Sequence, residues 1–439
     1  MPPTTITSYQ DALDYLYSFV DFERKPARTP QEAQHNLDRT RALLDAVGTP
    51  PHFKSVVIAG TKGKGSTAAI LESILRVAGY RTGLWTSPHL NSYRERMQVN
   101  RVLITQAQLV RAVQQLQPIV AAFDHATYGT PTVFELSYAL TLSFFAEQQI
   151  DVAVLEVGLG GRYDATNAIT PLVSAVSSIS YDHMHVLGDT LSQIAYDKAG
   201  IFKPGVPAVT IPQHPEAAAM LARVAHEVGT PLHLAAPAGW HDPQGLPVLV
   251  CPTMPAPRLR GAFQLENAQL ACGIVALLRQ QGLPIPDDAI SQGLATVQWA
   301  GRLEVAGTAP LLVLDGAHNG DSAQKLIAAL QAEFSYARLI LVLGMSRDKH
   351  TDAILEALLA HTDTLVLTHS RHPRAYTDLD KIAAQARPLF HGTILFAGDV
   401  PDALDEARRI AHPNDLICVT GSLFVVGAAR EALGLAVSD

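Results

Sequence analysis

A chain of 439 residues is long enough for two or three domains with substantial cores, and its 48% apolar and 17% charged content excludes an intrinsically disordered protein. A net charge of −8 argues against a broad nucleic-acid-binding surface while leaving room for one local cationic pocket. The three cysteines, Cys251, Cys272 and Cys418, are too scattered for a disulfide frame or a zinc site. With no basic-then-apolar leader and no apolar run of membrane-spanning length, they point to a soluble, cytoplasmic protein that engages neither nucleic acid nor membrane.

Residues 8–20 read as an amphipathic helix, opened by a Ser8–Asp11 capping box and striped by Leu13, Leu16, Tyr17 and Val20. A second helix at about 35–47 ends at Gly48. A buried strand follows at Val56-Val57-Ile58, and after it comes Gly60-Thr61-Lys62-Gly63-Lys64-Gly65-Ser66-Thr67. Ile70, Leu71, Ile74, Leu75 and Ala78 then recur at helical spacing up to Gly79. Strand, glycine loop, lysine, hydroxyl and helix form an arrangement that cradles a polyphosphate. Glycines let backbone N–H groups approach the anion, the helix N-terminus adds positive potential, and Lys64 supplies a point charge. The strict pattern G-x-x-x-x-G-K-[ST] is not met, because Gly65 follows Lys64. A glycine-rich turn with a chance lysine is the weaker reading.

A short strand at 81–85 runs into Thr86-Ser87-Pro88-His89-Leu90, and helices are predicted at 105–123 and 132–149. The run 151–157 is continuously apolar up to Glu156, as in a parallel strand covered on both faces. Another strand at 172–179 leads to Ser180-Tyr181-Asp182-His183, and a helix near 190–201 carries Lys198. Alternation continues to about 235, predicting a right-handed parallel α/β sheet. Residues 236–262 are proline-rich and predicted to be irregular or edge structure. Helices at 264–281 and 286–297 lead into Trp299-Ala300-Gly301-Arg302. A second α/β alternation follows, with strands at 303–306, 311–315, 339–343, 364–367 and 416–419. The boundary falls near Gly301, giving domains 1–300 and 301–439.

In an open parallel sheet, ligands bind beyond the carboxyl ends of the strands, and Lys64, Ser87, Glu156 and His183 all fall there. A carboxylate such as Glu156 suits Mg²⁺, which takes few protein oxygens alongside phosphate and water, although a strand-end acid capping a helix is an equal alternative. His183 stands in Asp-His-Met-His, weak evidence for zinc, and a lone histidine is more often structural. Composition alone makes Lys198 a solvated helix lysine. In the second half Asp315-Gly316-Ala317-His318 again ends an apolar strand, with Arg302 just upstream. These residues could close on a nucleotide held by the first domain. The residues by themselves indicate a two-domain, Mg²⁺-dependent, ATP-using enzyme.

Taken together, the stretches GTKGKGST (60–67), TSPHL (86–90) with Glu95-Arg96, TVFE (132–135), EVGLGGRYDATN (156–167) and DHMHVLGDTLSQIAYDKAGIFKPG (182–205) resemble the folylpolyglutamate synthase/dihydrofolate synthase family of the Mur ligase superfamily. So do FQLENA (263–268), WAGRLE (299–304), LDGAHN (314–319) and TGSLFVVG (420–427), in the family's order. The resemblance implies a P-loop-containing parallel-sheet ATPase domain followed by a smaller Rossmann-like α/β C-terminal domain. It also implies an ATP-dependent ligase that adds L-glutamate to the γ-carboxylate of a reduced folate through an acyl phosphate, with dihydropteroate as a further substrate to consider. By the same resemblance Gly63, Lys64, Gly65, Ser66, Asn267, Arg302, Asp315 and His318 bind ATP, and Ser87 and Glu156 hold a first Mg²⁺. His183 holds a second Mg²⁺, and Lys198 is carbamylated as an anionic oxygen donor. Lys64, Glu156, His183 and Lys198 then form the catalytic set, while Thr132, Phe134, Asp164 and Ala165 belong to the pterin pocket. A monovalent cation and a monomeric state complete the expectation.

Several positions depart from the family pattern. Lys62 replaces the usual asparagine, which predicts a second cation beside the triphosphate. Tyr181 and Asp197 replace a glycine and a glutamate, and Arg101 replaces a glycine near the folate-binding loop. A different Mur-type amino-acid ligase is the alternative; a cell-wall precursor ligase would need an N-terminal nucleotide-sugar domain. A P-loop kinase or GTPase is disfavoured by the second α/β domain, and a non-catalytic nucleotide-binding protein by the intact set Lys64, Glu156, His183, Lys198 and Asp315.

Overall fold

Val56, Val57 and Ile58 lie wholly buried in β1 (Lys54–Ala59), because a strand flanked by parallel neighbours and covered by helices must be apolar on both faces. The computed structural model describes residues 5–21, 36–48, 53–251, 254–347 and 351–437. Two compact units result: Met1–His89, Arg94–Arg258 and Leu265–Val297 form the first, and Leu90–Tyr93, Leu259–Gln264 and Gln298–Asp439 form the second.

The first unit adds β2 (Thr82–Trp85), β3 (Met97–Val99), β4 (Val102–Leu103), β5 (Val152–Glu156), β6 (Val173–Val176), β7 (Ala208–Thr210), β8 (Leu232–Ala235) and β9 (Val248–Leu249). Their order is β4-β3-β2-β5-β1-β6-β7-β8-β9. All neighbours run parallel except at one edge, where β3 pairs antiparallel with both β2 and β4. The sheet is therefore mixed, not wholly parallel. The hairpin was invisible in the sequence because its turn, Asn100-Arg101, holds two non-glycine residues at φ +49° and +66°. Arg101 turns back toward Glu72, buried at 1% exposure on the loop helix, with Nε 3.9 Å from the carboxylate. Its side chain is thus engaged in packing the hairpin.

In the second unit β10 (Glu304–Thr308), β11 (Leu311–Leu314), β12 (Leu339–Leu343), β13 (Thr364–Leu367), β14 (Thr393–Phe396) and β15 (Leu416–Thr420) order as β10-β11-β15-β12-β13-β14. The pairing is parallel throughout except for the β10–β11 hairpin. Edge strand β14, absent from the sequence reading, is only partly covered: Thr393 and Phe396 are exposed and Ile394 and Leu395 half-buried. The first helix is shorter than expected, Tyr9–Tyr17, and buries Ala12, Tyr15 and Leu16, whereas Val20 is 55% exposed beyond its end. Among the described residues no helix is long and apolar enough to cross a membrane.

Candidate active site

The strand order β2-β5-β1-β6 decides what can meet at the carboxyl edge of the first sheet. Ser87 follows β2, Glu156 ends β5, the glycine loop follows β1, and Asp182–His183 follow β6, across roughly 15 Å of sheet.

The loop is fixed by two glycines. Gly60 has φ +146°, and a Cβ there would lie 1.9 Å from Ser177 Oγ. Gly63 has φ +85° and begins the helix Lys64–Val77; a Cβ there would lie 2.1 Å from Oδ1 of Asn267, which the helix Phe263–Gln280 brings against it. Gly63, Lys64, Gly65, Ser66 and Asn267 are thus one structural group. The first N–H groups of that helix have no intrahelical acceptor and carry the positive end of its dipole. Ser177, which sequence reasoning passed over, fastens the loop by donating to Lys62 O at 2.7 Å and Ala59 O at 3.2 Å. A lone serine past a strand end carries no motif that could have signalled this.

Two lysines converge on one carbonyl. Lys64 Nζ donates to Gly60 O at 3.2 Å, and Lys198 Nζ donates to the same oxygen at 2.8 Å. Lys198 is 3% exposed, so the solvated-lysine reading from composition is wrong. The cause is the glycine turn after β5: a Cβ on Gly161 would lie 2.8 Å from Lys198 O, and one on Gly160 2.2 Å from Asp197 Oδ1. Only glycines let the turn press onto the helix Leu191–Lys198 and bury its end. Burial, then the neighbouring Lys64 ammonium, push the Lys198 ammonium down to about 7, while Asp197 and Asp182 oppose the shift. Burial likewise raises the Asp197 carboxyl.

Glu156 is 6% exposed and accepts from Ser87 N at 3.2 Å. His183 adopts the left-handed conformation at φ +51° and begins the short helix Met184–Leu187. Among the described residues no group of three or more His, Cys, Asp or Glu side chains gathers into a metal cage. A buried carboxylate beside a serine, at the mouth of a phosphate loop, is the sparse oxygen set that Mg²⁺ accepts when phosphate and water complete its shell.

Lys62 does not behave as the sequence predicts. Its ammonium lies 2.7 Å from Asp182 Oδ2, so its charge is already paired with a carboxylate.

The residues expected around a pterin also lie close together in the chain's fold. Phe134 is half-buried and edge-on to Trp85 at 5.6 Å, and a Cβ on Gly158 would meet the Phe134 ring at 2.6 Å and Asp164 Oδ2 at 3.3 Å. Asp164 is engaged by four donors: Gly158 N and Leu159 N on Oδ2, and Thr166 N and Oγ1 on Oδ1. Burial still raises its carboxyl against those bonds. Thr132 caps the helix Val133–Glu147, exchanging bonds with Glu135, which pairs with Arg39 at 2.9 Å. Ala165 is buried at 2%. Of the four, Phe134 is the one left partly exposed, Thr132, Asp164 and Ala165 being buried.

In the second unit Asp315 ends β11, 6% exposed, accepting from Leu303 N and Ala317 N at 2.9 Å each. Burial raises its carboxyl, and Arg302 opposes the rise. His318 Nδ1 donates to Gly316 O at 2.8 Å. Arg302, Asp315 and His318 therefore form one cluster within this unit.

The Mur ligase middle domain matches residues 58–228, and the Mur ligase glutamate ligase domain matches 301–423. The dihydrofolate synthase/folylpolyglutamate synthase of Bacillus subtilis is 32% identical over 97% of this chain and 99% of its own length. The crystal structure of Mycobacterium tuberculosis folylpolyglutamate synthase complexed with ADP and AMPPCP superposes with a TM-score of 0.82 at 31% identity, covering 92% of this chain and 96% of that one. A bifunctional folylpolyglutamate synthase/dihydrofolate synthase with Mn, AMPPNP and L-glutamate bound gives 0.82 at 30% identity, covering 99% and 100%. With both domain models in order and similarity along the full length of these relatives, the chain belongs to the folylpolyglutamate synthase/dihydrofolate synthase family of Mur ligases.

Proposed function

We propose that this chain is an ATP-dependent ligase that joins the amino group of L-glutamate to the γ-carboxylate of a reduced folate. The observation that carries the reading is the Gly60–Asn267 group: a glycine loop ending in Lys64 at a helix N-terminus, with the buried Glu156 on the adjacent strand. In this reaction a folate carboxylate oxygen attacks the γ-phosphorus and ADP leaves. The glutamate amine then attacks the acyl-phosphate carbon, loses a proton, and the tetrahedral intermediate expels inorganic phosphate. Both reacting partners of the first step are anions, so alignment and charge neutralisation supply most of the catalysis.

The N–H groups of Gly63, Lys64, Gly65 and Ser66 suit the phosphates, Lys64 neutralises them, and Asn267 holds Gly63 in place. Within the second unit, Arg302, Asp315 and His318 bring together a guanidinium, a carboxylate and an imidazole of the kind that bind nucleotides. Ser87 and Glu156 would hold one Mg²⁺ and His183 another, and when bound the metal supplies neutralisation of developing phosphate charge. A carbamate on Lys198 fits its position at the base of the loop, where a buried ammonium would oppose a divalent cation. Phe134 offers a stacking face for a pterin ring, positioned by Thr132, Asp164 and Ala165.

The test is ATP turnover with tetrahydrofolate or dihydropteroate, each with and without L-glutamate. Turnover requiring tetrahydrofolate and glutamate together supports the reading. Dihydropteroate-dependent turnover would add dihydrofolate synthesis, and turnover with neither pterin would overturn it. Lys64→Ala should abolish ligation while circular dichroism and melting stay near wild type, because a half-exposed loop lysine contributes little to stability.

A further inference from the structure

Cys251 and Cys272 are too scattered in the sequence to signal a pair, yet the fold brings them together. A Cβ on Gly273 would lie 2.7 Å from Ala235 Cβ and 3.0 Å from Val209 Cγ2, so the helix Phe263–Gln280 presses closely on β7 and β8 beside Cys272. Ala235 in turn pairs with Leu249 of edge strand β9, and Cys251 follows two residues later. The two thiols share a side-chain hydrogen bond. That bond, then burial, push the Cys272 thiol up, while Arg279 opposes the rise.

The two sulfurs differ in access. Cys272 is 5% exposed, whereas Cys251 is only half-buried and is the one a small oxidant reaches. Cys418, the third cysteine, is wholly buried in the second unit. The contact also has a firm side and a yielding side. Gly273 seats the helix directly on the sheet, while β9 is two half-buried residues at the sheet's end. Joining the sulfurs draws them closer than a hydrogen bond does, and the strand end gives way before the helix. Asn267, on the same helix, therefore keeps its place against Gly63.

We propose that Cys251 and Cys272 form a reversible dithiol–disulfide pair that, under a hydroperoxide oxidant, staples the β9 edge of the first sheet to the helix Phe263–Gln280. The Cys251 sulfur attacks one peroxide oxygen, the O–O bond breaks, and a sulfenic acid and water result. The Cys272 sulfur then attacks that of Cys251, the S–O bond breaks, and water leaves with the thiol proton. Two thiols and one hydrogen peroxide thus give one disulfide and two waters, and a dithiol reductant reverses the change. The pair stands on its own geometry and does not depend on the ligase reading.

The test exposes reduced, folded, full-length protein to hydrogen peroxide, then denatures it and caps free thiols with N-ethylmaleimide. Trypsin cuts after Arg258 and Arg260, between the two cysteines, so a disulfide leaves two peptides linked. Wild type should give the Cys251–Cys272 link, lost on treatment with dithiothreitol, and Cys418 should be recovered as a capped thiol. The oxidised protein should melt roughly 3 °C or more above the reduced one. The amides of Leu234 and Ala236, which donate to Pro247 O and Leu249 O across the β8–β9 pair, should exchange more slowly, while the helix Lys64–Val77 keeps its protection. Cys251→Ser, its folding checked by circular dichroism, should show neither the link nor the melting shift. Oxidation of Cys251 to sulfinic acid without a link would overturn the proposal. So would a link that forms only after denaturation, or only between molecules. A link that leaves exchange at Leu234 and Ala236 unchanged, or that loosens the helix Lys64–Val77, would overturn the staple.

Discussion

Two constraints meet at Gly63: a left-handed φ of +85° and the close approach of the Asn267 amide. An alanine there would incur about 1–2 kcal/mol of backbone strain and force Asn267 aside. Gly63→Ala should therefore lower the melting temperature and raise KM for ATP more than it lowers kcat. An unchanged KM would show that the Gly63–Asn267 contact does not shape the nucleotide site. Lys198 separates by a different measurement. If its buried amine carries a carbamate, Lys198→Ala should lose activity and recover part of it with added short carboxylic acids, which can enter the vacated anion position. Full activity without rescue, or only unmodified lysine in the mass spectrum of active enzyme kept under CO₂, would exclude the carbamate. Neither the burial of Lys198 nor the pairing of Lys62 could be read from composition. Each depends on a contact between segments far apart in sequence: Gly161 against Lys198, and Lys62 against Asp182.

Elements whose signals are local were legible. The β1 strand, its glycine loop and the following helix form one uninterrupted stretch whose period, glycines and cap agree. The Ser8–Asp11 capping box was legible for the same reason, and the structure makes both of its reciprocal bonds. By contrast the β3–β4 hairpin lacks a glycine turn, and β14 is a short edge strand only partly covered. The capping box carries a pH signature. Donors from Thr7, then Ser8, hold the Asp11 carboxyl at about 2, below its usual 3.8. A carboxyl whose folded pKa is depressed favours the folded state above the unfolded value. That contribution fades as pH falls from 3.8 through about 2. Asp11→Asn keeps the shape and removes the charge. The stability gap between wild type and this variant, followed by chemical denaturation, should narrow as pH falls from about 5 to about 2. A gap constant over that range would mean the ionised form contributes nothing to the cap.

Chain order and compact units diverge at the scale of the whole molecule. The sequence suggests one boundary near Gly301, yet Leu90–Tyr93 belong to the unit built mainly from Gln298–Asp439. No periodicity marks so short a segment; its place is fixed by packing. Leu90 lies against the core formed by Leu312, Leu314, Ile417 and Val419, and a Cβ on Gly427 would stand 2.4 Å from Leu90 O. Asn91 Nδ2 donates to Gly427 O at 2.7 Å. Leu90→Ala should therefore destabilise a sheet that begins more than two hundred residues later. For a half-buried leucine the cost should be about 1–2 kcal/mol, below the range for a fully buried one. Amide hydrogen exchange resolves where the loss falls: protection should drop in β11 and β15 while β1 and β5 keep theirs. Leu389→Ala, at a side chain 43% exposed in the same unit, is the control and should leave both sets unchanged. Equal loss of protection in β1 and β5, or none in β11 and β15, would show that Leu90 does not anchor its segment to the second unit.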